Sequence, residues 1–90
     1  IESLEALKDY TRLNLTDGRQ ITTLGTLTSM EQQLPTQLFK RVQRSYIVNL
    51  KHVQSYNTQS LRLASGTEIP IGKTYREEVQ TALTLLIRTH

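Results

Sequence analysis

Ninety residues suffice for one domain with a modest core and leave no room for a second. With no Cys, no Trp and one Phe, the chain excludes disulfides, thiolate nucleophiles and thiolate zinc sites, and its core must rest on Leu, Ile and Val. The net charge of +3 is modest, but residues 32–67 hold Lys40, Arg41, Arg44, Lys51 and Arg62 without one Asp or Glu, a basic block in an otherwise slightly acidic chain that suggests a polyanionic partner.

Residues 10–15 alternate, with Thr11, Leu13 and Leu15 on one side and Tyr10, Arg12 and Asn14 on the other, the pattern of a half-buried strand. Asp17-Gly18 is a hairpin signal, because Gly tolerates positive φ, and residues 19–24 form the return strand. The period then changes. Leu27, Met30 and Leu34 share one face of a short helix over residues 26–34, which Pro35 ends. Thr28 with Glu31 forms a capping box for it, and Thr26 is a second candidate cap.

Residues 39–50 have strand composition at both flanks and a charged middle that belongs on a surface loop or strand end. Three more strands follow at Val53–Tyr56, 61–64 and 67–71, with a tight turn at Ser65-Gly66 and with Leu61 and Leu63 pointing opposite to Arg62. Val79, Ala82, Leu83 and Leu86 then repeat at helical spacing. Thr74 with Glu77 makes a capping box that starts this helix at about Tyr75. The fold class expected is mostly β, with short antiparallel strands, one short internal helix and a C-terminal helix.

Little in the chain suggests catalysis. His52 and His90 are the only histidines, and no nucleophile elbow, phosphate-binding loop, zinc-protease motif or usefully spaced carboxylate pair occurs. Glu77 and Glu78 are adjacent, point apart and suit a helix N-terminus. The expectation is a non-enzymatic domain without metal or cofactor. No apolar stretch approaches the ~18 residues of a membrane span and no secretory leader is visible, which fits the cytoplasm. The chain reads as one domain, residues 1–90, cut from a longer protein.

The basic segment is where binding chemistry concentrates. Arg can pair bidentately with guanine and Gln with adenine, while Lys, Ser and Tyr can hold phosphate oxygens. Lys40, Arg41, Gln43, Arg44 and Ser45 lie together between apolar anchors. Arg44 stands in the polar middle, Lys40 on the flank, and Lys51 shortly beyond. Phe39, Val42, Ile47 and Val48 read as core, Tyr46 as core with its hydroxyl reaching solvent or phosphate, and Asn49 as a local backbone binder.

This segment, Phe39-Lys40-Arg41-Val42-Gln43-Arg44-Ser45-Tyr46-Ile47-Val48-Asn49, resembles the signature of LytTR DNA-binding domains, with Gln43 where that family most often has histidine. Glu68-Ile69-Pro70-Ile71-Gly72-Lys73-Thr74-Tyr75-Arg76 is similar to a second family motif, departing in detail at Gly72, Lys73 and Thr74. The Asp17-Gly18 hairpin and the Leu-rich helix after it give a third match, in the family's order. The resemblance implies an elongated arrangement of short antiparallel sheets that places loops into successive major grooves of double-stranded DNA. It implies pairs of domains on direct repeats and a receiver domain upstream, the output end of a two-component response regulator. It also implies base contacts at Tyr10, Arg44 and Lys73-Thr74, with Tyr10 aligned by strand position alone. A β-rich protein-interaction module of a signalling protein is the alternative. RNA is disfavoured, because Tyr10, Tyr46, Tyr56 and Tyr75 form no stacking platform in the sequence.

Overall fold

In a computed structural model, which describes residues 1–88, the chain folds into two antiparallel sheets and two α-helices. Strands β1 (Ser3–Leu7), β2 (Tyr10–Asn14) and β3 (Gln20–Leu24) form a meander. Helix α1 (Leu27–Glu31) leads to the hairpin β4 (Phe39–Gln43) and β5 (Tyr46–Asn49). These five strands make one sheet in the order β3-β2-β1-β5-β4. After a 3-10 turn at Leu50–His52, strands β6 (Val53–Tyr56), β7 (Ser60–Leu63) and β8 (Glu68–Pro70) make the second sheet. A second 3-10 turn, Lys73–Tyr75, feeds helix α2 (Arg76–Arg88). The principal extents are 35 × 28 × 22 Å.

Alternation places the cores. β5 is buried on both faces: Ile47 joins Leu4 and Leu27 beneath α1, while Val48 joins the larger cluster of Val42, Leu61, Leu63, Ile69, Val79 and Leu83. The single modest core expected from composition is therefore two clusters back to back, sharing β5 as their common wall. The gain is physical: a strand covered on both faces hides twice the apolar surface of a half-buried one.

Three local expectations change. Thr26, not Thr28, caps α1 by accepting a hydrogen bond from the Ser29 amide (3.1 Å). Thr28 lies inside the helix, where its hydroxyl meets Arg41 instead. At the other helix, entry begins a turn early, with Gly72 as the cap of the 3-10 turn and no side-chain cap hydrogen bond, so Thr74 caps nothing. The charged middle of residues 39–50 is mostly strand: only Arg44 and Ser45 form the turn, and a bulge between Arg41 and Gln43 lets the edge strand bend.

One buried carboxylate ties the two sheets, and one buried amide fastens the end of β5. Glu2 is buried, and its carboxylate accepts from the Ser65 hydroxyl (2.7 Å) and the Ser65 amide (3.1 Å) in the β7–β8 turn. Asn49 accepts from the Lys51 amide (3.1 Å), the local bond expected of it, and donates to the Ile1 carbonyl (3.0 Å). His90 lies outside the described residues.

Candidate nucleic-acid interface

Register gathers separate loops at one end of the five-stranded sheet. Leu7 pairs with Tyr10 across the β1–β2 turn, and Tyr10 pairs with Leu24 at the end of β3. On the other side of β1, Glu5 pairs with Tyr46, and the Ser45 carbonyl accepts from the Ala6 amide (2.9 Å). The Lys8-Asp9 turn, the Leu24-Gly25 exit and the Arg44-Ser45 turn therefore share one edge. The Asp9 carbonyl closes part of it by accepting from the Gly25 amide (2.8 Å).

The segment before α2 is fastened to the same end. The Gly72 amide donates to the Val42 carbonyl (2.7 Å), and the Gln43 side-chain amide donates to the Pro70 carbonyl (2.7 Å). These two bonds place Lys73 and Thr74 beside Arg44, although 29 residues separate Arg44 from Lys73 in the chain. Gly72 is packed close enough that a Cβ there would lie 3.0 Å from the Tyr75 ring and 3.3 Å from the Gln43 Cα.

Arg41 builds the Arg44 turn from behind. Its guanidinium donates to the Thr28 hydroxyl (3.1 Å), to Glu31 (3.3 Å) and to the Arg44 carbonyl. That side chain pins the turn to α1 and has its nitrogens committed inside the protein. Gln43 is committed likewise, to Pro70. Lys40 pairs with Glu78 across 3.4 Å on the α2 side, a partly exposed contact of the kind worth about 0–1 kcal/mol. Ser45 is half-buried and lends its carbonyl to β1. Tyr10, Arg44, Lys73 and Thr74 remain exposed. Lys51 is exposed too, but it lies past the opposite end of β5 and is not brought to this edge.

Lys8 was absent from the residues marked in the sequence. It is exposed, sits between Leu7 and Tyr10, and has a φ of 52°, left-handed for a non-Gly residue. Alternation running up to Leu7 and resuming at Tyr10 would have exposed the two-residue turn, had the first strand been read to its end. Arg12 pairs with Glu5, Arg19 with Asp17, Lys40 with Glu78 and Arg41 with Glu31. Among the described residues Lys8, Arg44, Lys51, Arg62, Lys73 and Arg76 take part in none of these ion pairs, and of them Lys8, Arg44 and Lys73 lie at this one end, where Asp9 is the nearby acidic residue in the turn.

Tyr46 packs against the larger core cluster, and its hydroxyl donates to Glu5 (3.0 Å) on the sheet face in a partly buried bond. Burial pushes its ionisation above the usual tyrosine value, the bond to Glu5 and the Glu5 charge push the same way, and Arg12 opposes them. Among the described residues no group of three metal-ligating side chains comes together, and no helix is long and apolar enough to cross a membrane.

Comparison with known proteins decides the family. The sequence model of the LytTr DNA-binding domain matches residues 1–84. The chain belongs to the LytTR family. It is similar to the sensory transduction protein LytT of Enterococcus faecalis, 36% identical over 66 residues that cover 68% of this chain and 27% of that protein. The LytT protein of Bacillus anthracis is 29% identical over 90 residues, covering 86% of this chain and 37% of its own length. A solved LytTr DNA-binding domain of a response regulator from Bacillus cereus superposes with a TM-score of 0.82 at 26% identity, covering 92% of this chain and 80% of that one. The mostly β fold with two antiparallel sheets and a C-terminal helix is thus the LytTR fold, and DNA binding in transcription regulation is its business. The chain spans about a third of the length of the LytT proteins it matches.

Proposed function

We propose that this LytTR domain, residues 1–90, binds double-stranded DNA sequence-specifically as the cytoplasmic output domain of a longer two-component response regulator, downstream of a receiver domain, and is not an enzyme. The observation that supports the reading is a cluster of charge: Arg12, Lys40 and Arg41 of the five-stranded sheet are paired, while Lys8, Arg44 and Lys73 come together outside the ion pairs at one end, on three turns held together by backbone hydrogen bonds, and the other such cations, Lys51, Arg62 and Arg76, lie apart from it. Unpaired cations gathered at one edge can meet a polyanion without first breaking an internal ion pair, and the counterions that they release from it favour binding.

In this reading Arg44 reads a base edge, Tyr10 and Thr74 approach the groove from either side, and Lys8 and Lys73 hold phosphates. Arg41, Gln43 and Ser45 position the Arg44 turn from inside. Lys40 and Lys51 add long-range attraction and no contact at this edge. From Leu24 to Ser45 the sheet end crosses three strand spacings, about 14 Å, or about four base-pair steps. So few base pairs cannot define a unique site, which supports two copies per site, and their arrangement on a direct repeat is what the family resemblance implies. Gel shifts with duplex, single strand and RNA test the reading. Preference for duplex is expected, and equal binding to all three, or binding to none, would overturn it.

A further inference from the structure

The same end of the sheet carries an apolar row that charge does not explain. Leu24 is 71% exposed and Tyr10 50% exposed, and they are direct cross-strand partners, with half-buried Leu7 opposite Tyr10 on the other side. Directly paired residues share a face, so the three form one row across β1, β2 and β3. Tyr10 and Leu24 belong to neither core cluster. Ile21, the other exposed apolar residue of β3, is three positions from Leu24 and so faces the opposite side. The row is therefore short and is not the start of a wide apolar face.

Its surroundings identify the occupant. Lys8 stands in the Lys8-Asp9 turn just beyond the Leu7–Tyr10 pair, and Arg44 lies on the neighbouring turn, both without carboxylate partners among the described residues. Phosphates drawn to those cations bring a groove against the leucine and tyrosine. The apolar feature a major groove offers is the thymine 5-methyl group. Two exposed side chains present on the order of a few hundred Å² at most, well short of the ~800 Å² per partner of a stable protein interface.

We propose that Leu24 and Tyr10 form a thymine-reading contact, sensing the 5-methyl group in the major groove about three to four base pairs from the one that Arg44 reads. This rests on the DNA-binding reading above and adds a base identity to it.

Removal of the methyl alone tests it. A binding duplex is first selected from a random pool, and each thymine is then replaced singly by deoxyuridine, which pairs identically. Wild-type affinity is expected to fall about fourfold at one or two positions, the value of burying one methyl. Leu24→Ala, at an exposed position, is expected to keep its circular dichroism spectrum and its salt slope but to become indifferent to the methyl at those positions. The proposal is overturned if wild type binds the duplex yet ignores every methyl, or if Leu24→Ala discriminates as wild type does. It is also overturned if Leu24→Ala leaves DNA preference intact and instead abolishes self-association in sedimentation, which would make a protein the occupant. Failure to select any duplex would remove the DNA-binding reading itself, and is seen before any thymine is altered.

Discussion

Arg44 and Lys73 are neighbours in space with different chemistry. Arg44 sits at the tip of a turn whose backbone carbonyl is held by Arg41, so its planar fork projects from a fixed base. Lys73 is an exposed point charge in a 3-10 turn. Arg44→Ala is therefore expected to weaken binding by about 1–3 kcal/mol and relax preference at one base pair. Lys73→Ala should weaken binding to all sequences alike and reduce the salt slope by about one. Competition against single-base variants of the site, at several salt concentrations, checks both, and the opposite pattern would exchange the two roles. Tyr46 makes a different kind of prediction. Burial first, and Glu5 second, raise its folded ionisation above the unfolded value of about 10. The stability this contributes is full below that unfolded value and is lost as pH rises through the folded one. Tyr46→Phe should thus remove part of the loss of stability in strong alkali, and cost about 1 kcal/mol near neutrality through the missing hydrogen bond. Urea titrations of both proteins from about pH 8 upward test the sign; equal alkaline slopes would show that Tyr46 is not the group involved.

At the scale of elements, the interface depends on how tightly β4 is tied to the segment before α2. Gly72 permits that approach by lacking a Cβ, not by unusual backbone, since its φ is −63°. Gly72→Ala would press on the Tyr75 ring and the Gln43 backbone, and the flexible ring gives more readily than the strand. A stability cost of about 1–3 kcal/mol is expected, with a loss of DNA affinity larger than that of Lys73→Ala, because Lys73 and Thr74 would both move away from Arg44. Equal affinity in the two proteins would separate the tie from binding. Here the sequence was readable in part. The meander strand beginning at Tyr10, the Asp17-Gly18 turn, the three strands of the second sheet and the face of α2 follow from period and turn chemistry, and Gly18 and Gly66 do adopt positive φ. The caps were harder to read, because Thr26 and Thr28 have the same chemistry and only the entry angle of the chain decides between them. Lys40 and Arg41 looked like loop because of their charge. An edge strand accepts such side chains when their ends reach a carboxylate, as these do at Glu78 and Glu31.

At the scale of the molecule, what could not be read was which loops meet. Nothing local to Glu2 foretells Ser65, nor to Gln43 foretells Pro70; these pairs arise from the order in which strands stack, with β1 inserted between two hairpins. The family resemblance named Tyr10, Arg44 and Lys73-Thr74 as base contacts from three separate places, but that their turns share one end of the sheet came from the register, as did Lys8, which needed the pairing of β1 against β2. The assembled edge sets the last expectation. Of the basic residues marked in the sequence, Lys40 and Arg41 are paired within the protein and Lys51 lies at the far end, so the phosphate contacts per copy fall to about three, through Lys8, Lys73 and in part Arg44. Counterion release then gives a log–log salt slope of about −3 for one copy and about −5 to −6 for a site holding two. A single copy spanning about four base pairs gains little discrimination, so specificity should emerge only with the second. Gel shifts on a single half-site and on a direct repeat, across salt, should show one weak complex on the first and two successive complexes on the second, with the steeper slope belonging to the pair. A slope near zero would mean that the unpaired cations do not meet phosphate. A tight single complex on one half-site would mean that the sheet end contacts far more DNA than its width allows.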